Sequence, residues 1–180
     1  MIIAVHSPEG EQRKAVLSAE LRTQTDRGAA IVAAAWLDDS MSFALNKYFK
    51  QHAESWKRLF EGSGPLATFS AKIDLSRLVG LITNGVRSDL HMIRDVRNEF
   101  AHHVAHRTAH EQLSFETPHI RDKCSALRSV VGDTQTLTSR EKYISVCLSL
   151  SWDFDTASDL LGWSIPHDGI IFIPSERHGA

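Results

Sequence analysis

Cysteine is nearly absent from this 180-residue chain, with only Cys124 and Cys147. They stand far apart and form no C-x-x-C pair, so the sequence offers neither a disulfide scaffold nor a thiolate zinc cluster, and two reduced thiols in a cytoplasmic protein are expected. An excess of charge of one sign is also missing. Lys and Arg number 20 against 22 Asp and Glu, for a formal net charge of -2. No global field draws the chain to a phosphate backbone, and any nucleic-acid contact has to be local. Long apolar runs are missing too. The longest, Ala29 to Leu37, is far below a bilayer span, and the apolar start Met1-Ile2-Ile3-Ala4-Val5 stops at His6, Ser7 and Pro8 without a basic leader. The expectation is a cytoplasmic protein with no membrane contact.

What is present is enough apolar material, 42% of residues, for one well-packed domain, and it recurs at helical spacing. Glu9 to Leu21 reads as a modest amphipathic helix, an arm within residues 1–25. Asp26 is the candidate N-cap of a central helix reaching Gln51, with Ile31, Trp36, Leu37, Phe43, Leu45, Tyr48 and Phe49 on its apolar positions and alanines that invite close helix contact. Glu61-Gly62-Ser63-Gly64-Pro65 is the strongest turn, and a helix from Pro65 to about Ile82 follows, with Leu66, Phe69, Ile73, Leu78 and Leu81 inward. Asn84-Gly85 breaks the pattern. Val86 to about His106 resumes it through Leu90, Ile93, Val96, Phe100 and Val104.

Pro118 opens a short helix to Leu127, residues 130–138 read as loop, and a last long helix starts near Ser139 with Tyr143, Val146, Leu150 and Phe154. The run Ile170-Ile171-Phe172-Ile173 belongs to a short extended segment, residues 164–180. The fold class is therefore all-α, a single helical bundle of about five or six helices over residues 26–163. Trp36, Trp56, Trp152 and Trp163, with Phe43, Phe49, Phe60 and Phe69, are assigned to the core, because they lie on apolar helical faces and do not alternate with basic residues.

Polar chemistry concentrates in Ile93-Arg94-Asp95-Val96-Arg97-Asn98-Glu99-Phe100-Ala101-His102. Arg94, Asn98 and His102 recur at intervals of four and share one helix face, with Arg97 one residue round from it. An imidazole titrating near neutrality, a guanidinium that binds phosphate through two donors and an orienting amide form a plausible phosphodiester-cleaving set. Arg94 and Arg97 are the candidate phosphate binders. The competing structural account pairs these groups with Asp74, Asp95 or Glu99 and leaves His102 as a helix-terminal residue. Both remain open on sequence alone.

Arg97-Asn98-Glu99-Phe100-Ala101-His102 resembles the R-N-x-x-x-H signature of HEPN domains, helical bundles that include metal-independent endoribonucleases as well as non-catalytic members. Asp26-Arg27-Gly28-Ala29-Ala30, Leu37-Asp38-Asp39 and the stretch from Leu59 through Gly62-Ser63-Gly64-Pro65-Leu66 to Leu75, then Leu78 to Ile82, resemble the mannitol operon repressor (MtlR) family of helical regulators. That resemblance spans less than half the chain, roughly Asp26 to His102. It implies an MtlR-like transcriptional regulator that acts through an unidentified protein partner, as a homodimer or higher homo-oligomer, without an obvious DNA-binding domain. The HEPN resemblance implies the alternative, an endoribonuclease using Arg97, Asn98 and His102 at a dimer cleft, with RNA as substrate.

The one candidate helix-turn-helix, Leu78 to Arg94, would present Arg87, Ser88, His91 and Arg94 to a groove, but Asp89 and Asp95 sit among them and direct DNA binding is disfavoured. His102, His106 and His110, at spacings of four with Glu99 or Glu111, are too weak a pattern for a zinc site, so no metal is assigned. Gly62-Ser63-Gly64 lacks the Lys-Ser/Thr pair of a phosphate loop, and no cofactor is expected.

Overall fold

The computed structural model describes residues 8–49, 53–102, 113–129 and 136–159. They form seven α-helices, α1 (Pro8–Thr23), α2 (Asp26–Tyr48), α3 (Ala53–Phe60), α4 (Phe69–Leu78), α5 (Asn84–His102), α6 (Pro118–Ala126) and α7 (Ser139–Asp159), and no strand occurs among the described residues. The all-α bundle stands: α1 falls in the expected N-terminal arm, and six helices, α2 to α7, lie between residues 26 and 163. The expected extended run Ile170–Ile173 lies outside the described residues, as do Val104, His106, His110 and Glu111.

Central helix α2 buries Ala29, Ala30, Ala33, Ala34, Leu37, Met41, Ala44 and Leu45. Its small residues let α7 lie close along it, and this is the most extensive helix pairing in the bundle. Arg140 stands beside Asp26, and the fully buried Tyr143 donates its hydroxyl to the Ala30 carbonyl at 3.0 Å. The register is nearly constant, so α2 and α7 run parallel. By length and composition α2 could cross a membrane, yet 50% of that window is buried inside the bundle, as befits its core helix.

The cap of α2 is Thr25, whose side chain accepts the Gly28 N–H, and not Asp26. Asp26 is used for longer-range bonds instead. Its carboxylate accepts the Phe115 N–H at 3.1 Å and pairs with Arg140, which also donates to the carbonyls of Leu21 and Gln24. One guanidinium thus fastens the start of α7 to the corner between α1 and α2, satisfying carbonyls that the end of α1 leaves unpaired. Leu17 and Leu21 bury the last turns of α1 against the bundle.

The expected helix from Pro65 to Ile82 is shortened at both ends. Gly62 has φ 58°, and a Cβ on Gly64 would lie 2.4 Å from the Leu59 carbonyl oxygen, so this turn needs both glycines. Leu66 donates back to Leu59 at 2.8 Å, and α4 starts only after Thr68, which caps Ala71. At its other end, Leu78 is 84% exposed, contrary to its inward assignment. Asn84 and Gly85 are the first residues of α5, and the break falls at residues 79–83. The eight-residue α3 is an addition to the expected elements.

Helices α6 and α7 begin at the expected Pro118 and Ser139. Thr138 and Glu141 form a reciprocal capping box: Thr138 Oγ1 accepts the Glu141 N–H at 3.3 Å and Glu141 Oε2 accepts the Thr138 N–H at 2.9 Å, which holds the Glu141 carboxyl below its usual range. Cys124 and Cys147 are free and buried. Burial pushes the Cys124 thiol up to about 12 and Cys147 higher still, so both are inert near neutrality.

Candidate functional site on α5 and its neighbours

Helix α5 buries one stripe, Val86, Asp89, Leu90, Ile93, Val96 and Phe100, and this fixes the opposite face outward. Arg94, Asn98 and His102 lie on that outward side. His102 is exposed in the last turn, where Arg27 Nη2 donates to the carbonyl of the preceding Ala101 at 3.0 Å. Arg97 is partly buried and donates through Nη1 to Asn98 Oδ1 at 2.9 Å.

Arg94 is engaged on two sides. Its Nη1 donates to Ser70 Oγ on α4 at 2.7 Å, while Nε and Nη2 reach Asp95 Oδ1 at 3.2 and 2.7 Å. A phosphate entering here would have to compete with a carboxylate already in place. The structure therefore brings Arg97 to Asn98 and Arg94 to Asp95, and the His102 side chain makes no hydrogen bond to a described residue. Glu99 turns away from this face, toward α6, where His119 Nε2 lies 2.5 Å from Oε2 and Lys123 pairs with Oε1. No group of three or more candidate metal ligands forms among the described residues.

Behind Arg97 lies a set of charges that sequence reasoning does not select. Lys72 of α4, only 6% exposed, reaches Asp38 Oδ1 of α2 at 2.5 Å and donates to Ser42 Oγ at 2.8 Å. Ser42 donates its own hydroxyl to the Asp38 backbone carbonyl at 2.7 Å. Burial raises the Asp38 carboxyl above its ordinary value, against the opposing pull of Lys72 and, more weakly, Arg97. The one available signal is positional. Lys72 follows Phe69 by three and precedes Ser76 by four, which places a charge on the buried stripe of α4.

The groove-facing set of the candidate helix-turn-helix is also engaged. Arg87 donates twice to Asp74 at 3.0 and 2.7 Å, and His91 Nε2 lies 3.5 Å from the same carboxylate. These contacts tie α5 to α4 on the side where base contacts would be made. Asp89, 1% exposed, accepts the N–H groups of Arg128 and Ser129 at 2.9 and 2.6 Å, and so pins the chain leaving α6.

This arrangement of helices has a solved counterpart. A chain in the X-ray structure of the MtlR–HPr complex from Escherichia coli matches with a TM-score of 0.59 and 17% identity, over 81% of this chain and 98% of that one. The fold is MtlR-like. No family model matches the chain, and no curated protein does. The match reaches well beyond the residues from Asp26 to His102 that carry the sequence resemblance, and at this identity it is a likeness of fold.

Proposed function

We propose that this protein is a cytoplasmic, MtlR-like transcriptional regulator that acts through protein–protein contacts, as a homodimer or higher homo-oligomer. The observation that supports this reading best is the match over 98% of a chain solved in complex with another protein, HPr. The state of α5 agrees with it. Arg94 is held by Asp95 and Ser70, and Arg87 by Asp74, so the basic groups that would read DNA or hold phosphate are committed to internal bonds.

HPr from the same cell is the partner to test first. Calorimetric titration of the full chain with purified HPr should give saturable heat at a fixed stoichiometry. Absence of heat and of any shift in sedimentation would remove HPr, and RNA binding with no protein captured by the full chain would remove the protein-contact reading.

The second reading, a metal-independent endoribonuclease, draws on one specific feature: Arg97 and Asn98 are joined at 2.9 Å on the helix that carries exposed His102. His102 would then move protons and Arg97 would stabilise charge on phosphorus. Labelled RNA incubated in chelator with the parent and with an Arg97→Ala, His102→Ala double variant separates the two readings. The regulator reading expects intact RNA from both proteins. Cleavage by the parent alone would establish the ribonuclease.

A further inference from the structure

At one end of the bundle the apolar packing is left open. Tyr48 and Phe49, at the end of α2, meet edge to face at 5.2 Å, Phe49 lies 6.4 Å from the Phe60 ring, and Trp56 stacks on Phe60 at 3.8 Å. Tyr48 also donates its hydroxyl to the Val79 carbonyl at 3.4 Å, which brings the end of α4 to the same corner. Yet Phe49 is 42% exposed, and Leu78, the neighbour of Val79, is 84% exposed. Exposed apolar side chains gathered at one corner in this way mark a surface suited to a partner.

The parallel course of α2 and α7 says what is near enough to cover it. Arg140 is level with Asp26 and Tyr143 with Ala30, so by the same register Asp159, the last residue of α7, is level with the last turn of α2. Residues 160–180 follow α7 at this end, outside the described residues. At ~3.3 Å per extended residue, 21 residues reach several times the ~10 Å between neighbouring helix axes. Their sequence includes Ile170-Ile171-Phe172-Ile173, an apolar run with the same need for burial as the corner itself. From Leu160 to Pro174 the only formal charge is Asp168, opposite in sign to the exposed Lys57 and Arg58 in the last turn of α3.

We propose that the aromatic corner formed by the ends of α2 and α4 with α3 is an intramolecular docking surface, and that its occupant is the chain's own segment 160–180, held through Ile170–Ile173. The proposal is independent of the functional reading above.

Cross-linking in the full chain tests it. Leu78→Cys and Ile171→Cys are introduced together and treated with a short bis-maleimide; buried Cys124 and Cys147 stay unreactive. The control pairs Ile171→Cys with Arg121→Cys. Arg121 is exposed on α6, beside the start of α7, where Lys142 Nζ donates to the Ser125 carbonyl at 2.6 Å, at the other end of the bundle.

Docking predicts intrachain linkage at least ~10-fold faster for the Leu78 pair than for the control, because a seated segment has a high effective concentration at its site. Equal rates would overturn the proposal, and linked dimers from the Leu78 pair would replace the segment with a second copy as occupant. A second variant guards against failure of the double substitution. Leu78→Glu should make the thiol of a lone Ile171→Cys several-fold more reactive, and unchanged reactivity would also overturn the proposal.

Discussion

Replacing Lys72 with Ala should cost about 3 kcal/mol of folding stability, the lower end of what breaking a buried ion pair from one side costs. Most of that loss is the price of leaving Asp38 without its cation. The carboxylate stays between α2 and α4, with only Arg97 still pulling on it and Ser42 no longer receiving the ammonium. Desolvation already raises the Asp38 carboxyl, and removing Lys72 takes away the largest opposing influence, so its folded-state value rises further.

The sign of the pH dependence follows. A carboxyl raised in the folded state binds its proton more tightly there than in the unfolded chain, so its unfavourable contribution is absent below the unfolded value and grows as pH rises through the folded one. The Lys72→Ala penalty should therefore shrink on acidification from neutrality, while the parent gains less. Urea titrations of both proteins across that range measure it. A double variant, Lys72→Met with Asp38→Leu, should recover most of the loss, since two apolar side chains need no compensation. A single-variant cost below about 1 kcal/mol, or no rescue in the double variant, would show that the pair is solvated and the account mistaken.

Asp89→Ala should be nearly as damaging, by about 3 kcal/mol, because two backbone N–H groups lose a charged acceptor inside the bundle. Arg128 and Ser129 have no other hydrogen bond from those N–H groups to a described residue. Asp89→Asn keeps an oxygen in place and should lose only about 1 kcal/mol, the charge-assisted part. The denaturation midpoint should fall with an unchanged slope if the bundle still unfolds as one unit. Equal losses for Ala and Asn would mean that geometry at this position, and not an unpaired donor, sets the cost.

Several elements are legible in the sequence. Pro118 and Ser139 mark true helix starts, because Pro fits a first turn and the Thr138–Glu141 box satisfies free N–H groups locally. The apolar stripes of α5 and α7 hold residue by residue at Leu90, Ile93, Val96, Phe100, Tyr143, Val146, Leu150 and Phe154. Errors gather at α3 and α4. Apolar spacing there suggested one longer helix, but spacing cannot say that Gly64 must pass against the Leu59 carbonyl, nor that Leu78 is the last residue before the chain turns away. Phe43 and Phe49 read as core by type, yet Phe43 on α2 is 48% exposed, and Phe49, just past its end, is still 42% exposed beside Tyr48 and Phe60.

The α5 motif shows the same division. Its spacing placed Arg94, Asn98 and His102 on one outward face, as the buried stripe then requires. Which of those groups are spoken for depended on Ser70 of α4, 24 residues away in sequence, and on an Asp95 side chain that chose Arg94 and not Arg97. Local sequence alone determined the helical class, the buried stripes and the caps, because those depend on contacts within a turn or two of the chain. The parallel pairing of α2 with α7, the Asp38–Lys72 pair and the commitment of the α5 arginines were decided only by tertiary structure, because each joins groups whose partners are brought close by folding and by nothing in their own segment.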